Sequence, residues 1–275
     1  MAVYIEFSGV SYSYKDDAGP ALREINLSID QGQFVTVIGA NGSGKSTLAR
    51  HINALLLPQS GLVTVGGMNT RDPLQLWHIR GSVAMVFQNP DNQLVAASVE
   101  EDIAFGPENL GVEPGEIRER VDQALEVVGL AQFRDRPPHL LSGGQKQRLA
   151  IAGALALKPV CLVLDEPTAL LDPGGRKEVL SLLTGLNKEK GITIVLVTHH
   201  MEEVLYSDRA LVMSGGRLVA DTKPRTLFDE LKNPESYGLG LTCPAELALR
   251  LKAAGLGLRT GICGSDELVA GLCQL

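Results

Sequence analysis

Long apolar runs are missing from this 275-residue sequence. The longest tract, Leu149–Leu157, is about nine residues and contains Gly153, against the roughly 18–20 needed to cross a bilayer. No membrane-spanning helix is expected. An excess of basic residues is missing too: Lys+Arg 25 against Asp+Glu 32 leaves a net charge of −7. Such a chain lacks the basic footprint that nucleic-acid binding needs, so no nucleic-acid partner is expected. Cysteine is scarce. Cys161, Cys243, Cys263 and Cys273 form no CxxC pair, which argues against a disulfide framework and for reduced thiols. Cys161 sits in an apolar run and reads as a small core residue. Met1–Phe7 lacks a basic stretch followed by an apolar one, so no secretory signal is expected there. Fixed-period repeats and low-complexity tracts are also lacking. What is present is ordinary globular material, 44% hydrophobic and 21% charged. That suffices for a sizeable core in one large or two small domains.

The pattern along the chain is α/β. Tyr4–Tyr14 alternates like an antiparallel strand, and Ile25–Ile29 is a second short alternating run. Gln33–Ile38, Val83–Phe87, Val160–Leu164 and Ile192–Val197 are almost continuously apolar, as buried central strands are. Helical patterns separate them. In Pro114–Gly129, Ile117, Val121, Leu125 and Val128 share one face, with Pro114 in the first turn and Gly129 as C-cap. In Asp172–Gly191, Asp172 is placed to N-cap and Pro173 to take the first helical position. Buried strands separated by helices predict a parallel sheet. Beyond Asp221 the character changes. Pro224, Pro234, Pro244 and glycines including Gly238, Gly255 and Gly261 punctuate short helical pieces at Ala245–Ala254 and Ser265–Leu272. Both a loose tail and a small accessory subdomain fit that composition.

Gly39-Ala-Asn-Gly-Ser-Gly-Lys45-Ser46, followed by Thr47, matches G-x-x-x-x-G-K-[ST] between a buried strand and a helix. Glycines let the backbone curl around phosphates with its N–H groups inward, and the helix start adds partial positive charge. Lys45 would reach the β- and γ-phosphates, and the Ser46 hydroxyl would ligate Mg²⁺. A second motif, Leu141-Ser-Gly-Gly-Gln145, places an S-x-x-Q capping box (Ser142, Gln145) at a helix start. Capping does not call for Gly143 and Gly144, which cost helix stability but let an anion approach the backbone.

With these motifs the sequence resembles the ATP-binding cassette (ABC) ATPases, in which L-S-G-G-Q is the family signature. The resemblance runs from Tyr4 to about Ala220. It implies a P-loop NTPase fold: a RecA-like parallel-sheet core, an N-terminal antiparallel β subdomain and a helical signature subdomain, plus a small C-terminal extension. The corresponding bounds are 1–225 for the nucleotide-binding domain, with the helical part at about 95–157, and 226–275 for the extension. It also implies ATP and Mg²⁺ as ligands. The phosphate loop (Gly39, Asn41, Gly42, Ser43, Gly44, Lys45, Ser46, Thr47) of one subunit would hold a nucleotide. The signature (Ser142, Gly143, Gly144, Gln145) of a second ATPase subunit, a paralogue or another copy, would close over it.

Further residues carry over one by one. Val160-Cys-Leu-Val-Leu-Asp165-Glu166 resembles the Walker B strand, with Asp165 on Mg²⁺ and Glu166 as general base. Gln88 resembles the Q-loop glutamine that senses Mg²⁺ and the γ-phosphate. His199 resembles the switch histidine on the γ-phosphate, and the adjacent His200 is expected at the surface. Ala169-Leu-Leu-Asp172 resembles the D-loop that crosses the dimer interface, so Asp172 has both that role and plain N-capping open to it. Tyr14 resembles the aromatic that stacks on adenine, with Tyr12 on the same strand face as the alternative.

Phe87-Gln-Asn-Pro-Asp-Asn-Gln93-Leu-Val and Ala104-Phe-Gly-Pro-Glu-Asn-Leu-Gly111 are similar to segments of energy-coupling factor (ECF) transporter ATPases. These power uptake of vitamins or transition-metal ions from the cytoplasmic face of the membrane. They work through a transmembrane coupling protein and a substrate-binding membrane protein. The same resemblance leaves a conventional ABC importer as the alternative, and a soluble ABC ATPase of DNA repair or translation as a remoter one. Ser98 and Glu101 form another S-x-x-E box, so a helix is expected from Val99. The short apolar stretch Leu94–Ala97 before it suits either inward packing or a groove for a partner's helix.

Overall fold

A computed structural model describes residues 2–15, 19–230, 237, 239–258 and 262–274. Met1, Pro234, Gly238 and Gly261 lie outside the described residues. The elements in chain order are β1 (Val3–Tyr12), β2 (Leu22–Asp30), β3 (Phe34–Ile38), α1 (Lys45–Ile52), β4 (Ser60–Val65) and β5 (Met68–Asn69). Next come α2 (Leu76–Ser82), β6 (Val83–Val86), α3 (Val99–Asn109), α4 (Pro114–Val128), α5 (Gly143–Ala156) and β7 (Cys161–Asp165). The chain continues with α6 (Pro173–Lys190), β8 (Thr193–Val197), β9 (Arg209–Ser214), β10 (Arg217–Thr222), α7 (Pro224–Glu230), α8 (Cys243–Ala253) and α9 (Ser265–Leu272).

Two sheets form. An antiparallel one has the order β2-β1-β4-β5, and a six-stranded one the order β10-β9-β3-β8-β7-β6. In the second, β9, β3, β8, β7 and β6 run parallel, and β10 adds antiparallel at the edge. The parallel strands are apolar on both faces because both are covered. Alternate residues serve two cores. Phe34, Val86, Leu162, Leu164, Ile194 and Leu196 meet Ile103, Leu125, Leu149 and Leu183 of the helices α3, α4, α5 and α6. Val35, Val37, Cys161, Val163, Val195 and Val197 meet Leu48 and Ile52 of α1 and Ile5, Phe7 and Val63 of the antiparallel sheet. Cys161 is fully buried, as expected, and burial pushes its thiol pKa up.

Most expected elements form close to their predicted bounds. Gly129 ends α4 in the left-handed conformation at φ 67°, where glycine carries no Cβ penalty. Strand β1 stops at Tyr12 instead of continuing to Tyr14. The tail is organised. Leu239, Ala245 and Cys263 pack with Ile38 of β3, Val212 of β9 and Leu227 of α7. Ala248, Leu258, Ile262 and Leu268 close a small cluster between α8 and α9.

Candidate functional site

The phosphate loop bridges β3 and α1 and is walled in by backbone. Gly39 has φ 152°, and a Cβ there would stand 2.1 Å from the Met213 carbonyl oxygen of β9. Gly44 has φ 103°, and a Cβ there would stand 2.4 Å from the Ala21 carbonyl oxygen. Neither position admits a side chain, so the loop closes tightly on itself, with the Ser43 amide donating to the Ala40 carbonyl at 3.1 Å. Gly44 is also the N-cap of α1 and supplies no side-chain cap, nor is there an acidic residue in the first turn. The helix start therefore keeps unpaired N–H groups and its positive dipole end for an anion. Asn41 and Gly42 are exposed at the loop tip, and Ser43 and Thr47 are buried. The Ser43 hydroxyl is buried with no hydrogen-bond partner among the described residues, a donor left for a phosphate oxygen. Tyr237, from the tail, accepts a hydrogen bond from the Ala40 amide at 3.0 Å.

Lys45 bends back into this loop. Its ammonium donates to the carbonyls of Gly39 at 2.8 Å and Ala40 at 3.0 Å. Burial lowers its pKa, and the nearby carboxylates of Glu166 and Asp165 oppose that shift. Ser46 donates its hydroxyl to Asp165 Oδ1 at 2.8 Å. Asp165 ends β7, and burial raises its pKa from the ordinary value against the pull of Ser46, Arg50 and Lys45. A hydroxyl and a carboxylate side by side form a hard-oxygen donor pair that fits Mg²⁺, which draws its other ligands from water and substrate phosphates.

Gln88, Glu166 and His199 converge from the C-terminal ends of β6, β7 and β8. Gln88 Nε2 donates to Glu166 Oε2 at 3.1 Å, and His199 Nδ1 lies 3.2 Å from the same oxygen. Glu166 has φ 50°, a left-handed conformation, and its amide donates to the Val197 carbonyl at 2.9 Å. Strain of this kind costs on the order of 1–3 kcal/mol and concentrates at working sites. His200 is not the surface residue expected of it. It is half-buried, its ring sits 4.1 Å from that of His199, and burial lowers its pKa. Tyr14 and Tyr12 do not share a strand face. Tyr14 lies past the end of β1 with its hydroxyl 3.2 Å from Thr47 Oγ1, on the phosphate-loop helix. The Tyr12 ring packs edge-on against Tyr14 and His51, each at 5.0 Å.

The signature forms its capping box in full. Ser142 Oγ accepts from the Gln145 amide at 3.3 Å, and Gln145 Oε1 accepts from the Ser142 amide at 2.9 Å. Ser142, Gly143, Gly144 and Gln145 share a cleft with Leu171 and Asp172, and no phosphate-loop residue lines that cleft. The cleft at the L-S-G-G-Q segment is thus separate from the phosphate loop. Asp172 occupies the N-cap position of α6, but its side chain makes no capping bond. Its carboxylate lies over Gly174 and Gly175, where added Cβ atoms would stand 3.2 and 3.0 Å from it. Of the two roles open to Asp172, side-chain capping is the one the structure removes.

Sequence reasoning missed two polar links. Lys146 of α5 pairs with Asp91 at 2.6 Å, joining the signature helix to the turn after Gln88. Glu203 is buried beside Thr168 and Arg176. Neither leaves a local sequence signal, because the partners are remote along the chain.

The family model described as ABC transporter matches residues 22–169. The energy-coupling factor transporter ATP-binding protein EcfA1 of Caldanaerobacter subterraneus subsp. tengcongensis is 52% identical over 277 residues, covering 100% of both chains. The chain belongs to the ABC transporter family, among its energy-coupling factor ATP-binding proteins. It is an ATP hydrolase by that membership. Its fold is similar to that of cbiO1 from Clostridium perfringens, described as part of the ABC transporter complex cbiONQ. That likeness has a TM-score of 0.79 and 39% identity, and covers 92% of this chain and 98% of the other. It is also similar to the ABC cassette MJ0796, solved as a dimer in a post-hydrolysis state with ADP and Pi. There the TM-score is 0.72 and the identity 32%, with 80% and 98% covered. Among the described residues, no helix is long and apolar enough to cross a membrane.

Proposed function

We propose that this ABC ATPase drives an ECF-type importer of a vitamin or a transition-metal ion. It would work at the cytoplasmic face of the membrane, as one ATPase of a dimer docked on a coupling protein and a substrate-binding membrane protein. The observation that carries the reading is the convergence of Gln88, Glu166 and His199 beside the Ser46–Asp165 pair, at the edge of the sheet where α/β ligands bind. Residues 1–225 form the nucleotide-binding domain, with its helical part at about 95–157, and 226–275 the extension.

In this reading the loop from Gly39 to Thr47 binds the phosphates through its amides and the Ser43 hydroxyl. Lys45 leaves its two carbonyl partners to reach the β- and γ-phosphates. Tyr14 stacks on adenine, held by its bond to Thr47. Ser46 and Asp165, with Gln88 close by, would hold Mg²⁺, which would supply neutralisation of the phosphate charge. Glu166 orients the attacking water and takes its proton, and Gln88 and His199 hold the carboxylate in place. His199 also donates to the γ-phosphate. Ser142, Gly143, Gly144 and Gln145 of the second subunit close over the same phosphate, and Asp172 crosses with them. Catalysis is then positioning plus electrostatic stabilisation of a loose transition state.

Glu166→Gln keeps shape and removes the base. Turnover should fall on the order of 10²–10⁴-fold while ATP affinity, read by equilibrium dialysis, stays at the parent value. Lys45→Ala should weaken both. Parental turnover in Glu166→Gln would remove Glu166 from the role of base.

A further inference from the structure

Behind the hydrolytic face lies a buried carboxylate that the reaction above does not use. Glu203 sits in the short 3-10 turn Met201–Tyr206 and is fully buried. Its Oε1 accepts a hydrogen bond from the Thr168 hydroxyl at 2.5 Å. Arg176 Nε stands 3.6 Å from the same oxygen. Oε2 of Glu203 and Nε of Arg176 are both buried without a hydrogen-bond partner among the described residues. Thr198 also faces the carboxyl, and its hydroxyl accepts from the His200 amide at 3.0 Å. Burial raises the Glu203 pKa against the pull of Thr168, Thr198 and Arg176.

The neighbours of this carboxylate belong to three separate segments. Thr168 lies between Glu166 and Asp172, and the Leu171 amide donates to its carbonyl at 3.1 Å. Arg176 is in the first turns of α6, and its amide donates to the Asp172 carbonyl at 3.0 Å. Thr198 directly precedes His199, whose ring lies against His200. Replacing a buried ion pair as a whole by apolar residues of the same volume is often neutral or stabilising, so the pair is not in itself an argument from stability.

We propose that Glu203 is a positioning residue for hydrolysis. Through Thr168, Arg176 and Thr198 it ties the Glu166–Asp172 segment to the His199 segment. The base of one site, its switch histidine and the D-loop facing the opposite site then move as a unit. The inference rests on the hydrolytic roles assigned above to Glu166 and His199.

The test uses the full-length chain in its ATPase-competent dimer, with Glu203→Gln and Thr168→Val as near-isosteric variants. Both are compared with the parent and with Glu166→Gln. ATP affinity, thermal unfolding, KM and kcat are measured for each. The proposal predicts that kcat falls on the order of ten- to a hundredfold, the scale of a sub-ångström to 1 Å misplacement. KM and ATP affinity should change less than about threefold. Because both variants break the same link, the double variant should lose little more than either one. Parental kcat in both variants overturns the proposal. So does a parallel loss of ATP binding and folded protein in both, which would make the cluster a stability element. If the parent hydrolyses ATP and Glu166→Gln does not, the hydrolytic reading stands whatever Glu203 does.

Discussion

Ser142→Ala separates what the signature serine does for its own helix from what it does across the dimer. In the isolated chain the residue has one structural task, to accept the Gln145 amide at 3.3 Å. Losing an N-cap acceptor costs about 0.5–2 kcal/mol. The lower half of that range applies here for two reasons. Ser142 is exposed, and the reciprocal bond from the Ser142 amide to Gln145 Oε1, at 2.9 Å, needs no serine side chain and survives. A cost of about 0.5–1 kcal/mol lowers the unfolding midpoint by roughly 1–4 °C in a chain of this size. The phosphate loop is on another surface, so ATP affinity of the lone chain should not move. Turnover should fall much further, on the order of tenfold or more, because a donor to the γ-phosphate is missing from the composite site. Fluorescence-monitored melting, nucleotide titration and phosphate release measure the three quantities. Parental turnover with the small melting shift would refute the cross-dimer role. A matched loss of ATP affinity and turnover would place Ser142 on its own chain's nucleotide.

Two further outcomes follow from burial. His51 is fully buried and held neutral, with burial pushing its pKa below the ordinary 6.5. The unfolded chain binds that proton first, so the stability His51 contributes is present above about pH 6.5 and lost as pH falls through the folded pKa. Melting curves from pH 7.5 to 5 should show falling midpoints, and His51→Leu should flatten the slope; an unchanged slope would assign the acid sensitivity elsewhere. The apolar stretch after Gln88 is split by the fold. Leu94 packs against the helical core, while Val95 is 65% exposed. Val95→Asp should leave folding and basal hydrolysis within error and abolish uptake by the assembled transporter, whereas Leu94→Asp should destabilise the subunit itself. Uptake at the parent rate in Val95→Asp would exclude a docking role for that side chain.

The buried parallel strands were legible because residues such as Val35, Val163 and Val195 face packed layers on both sides and leave a continuous apolar run. The capping box and Gly129 were legible because caps act within a few residues. The strands β4, β5, β9 and β10 were not legible in the same way. Their signal was present: Gly66-Gly67 and Gly215-Gly216 all have positive φ and separate paired strands, as two-residue hairpin turns do. At the site, the motif residues were legible one at a time, yet their mutual geometry was not. Glu166 meets Gln88 and His199 only because β6, β7 and β8 are neighbours in the sheet. Tyr14 and Tyr12 differ in setting because β1 ends at Tyr12, a boundary that alternation alone does not mark. The cluster around Glu203 was invisible for the same reason, since its partners meet only after the sheet and α6 have assembled.

The claim that two ATPase chains share each nucleotide site is tested most directly by sedimentation under turnover conditions. ATP hydrolysis is followed across the sedimenting boundary in the presence of Mg²⁺, for the chain alone and with a related ATPase chain. The account predicts that activity travels with a dimer, of two copies or of two related ATPases. It also predicts that Glu166→Gln holds that dimer together after ATP is added. Full turnover in a species sedimenting as a 29.3 kDa monomer would contradict it.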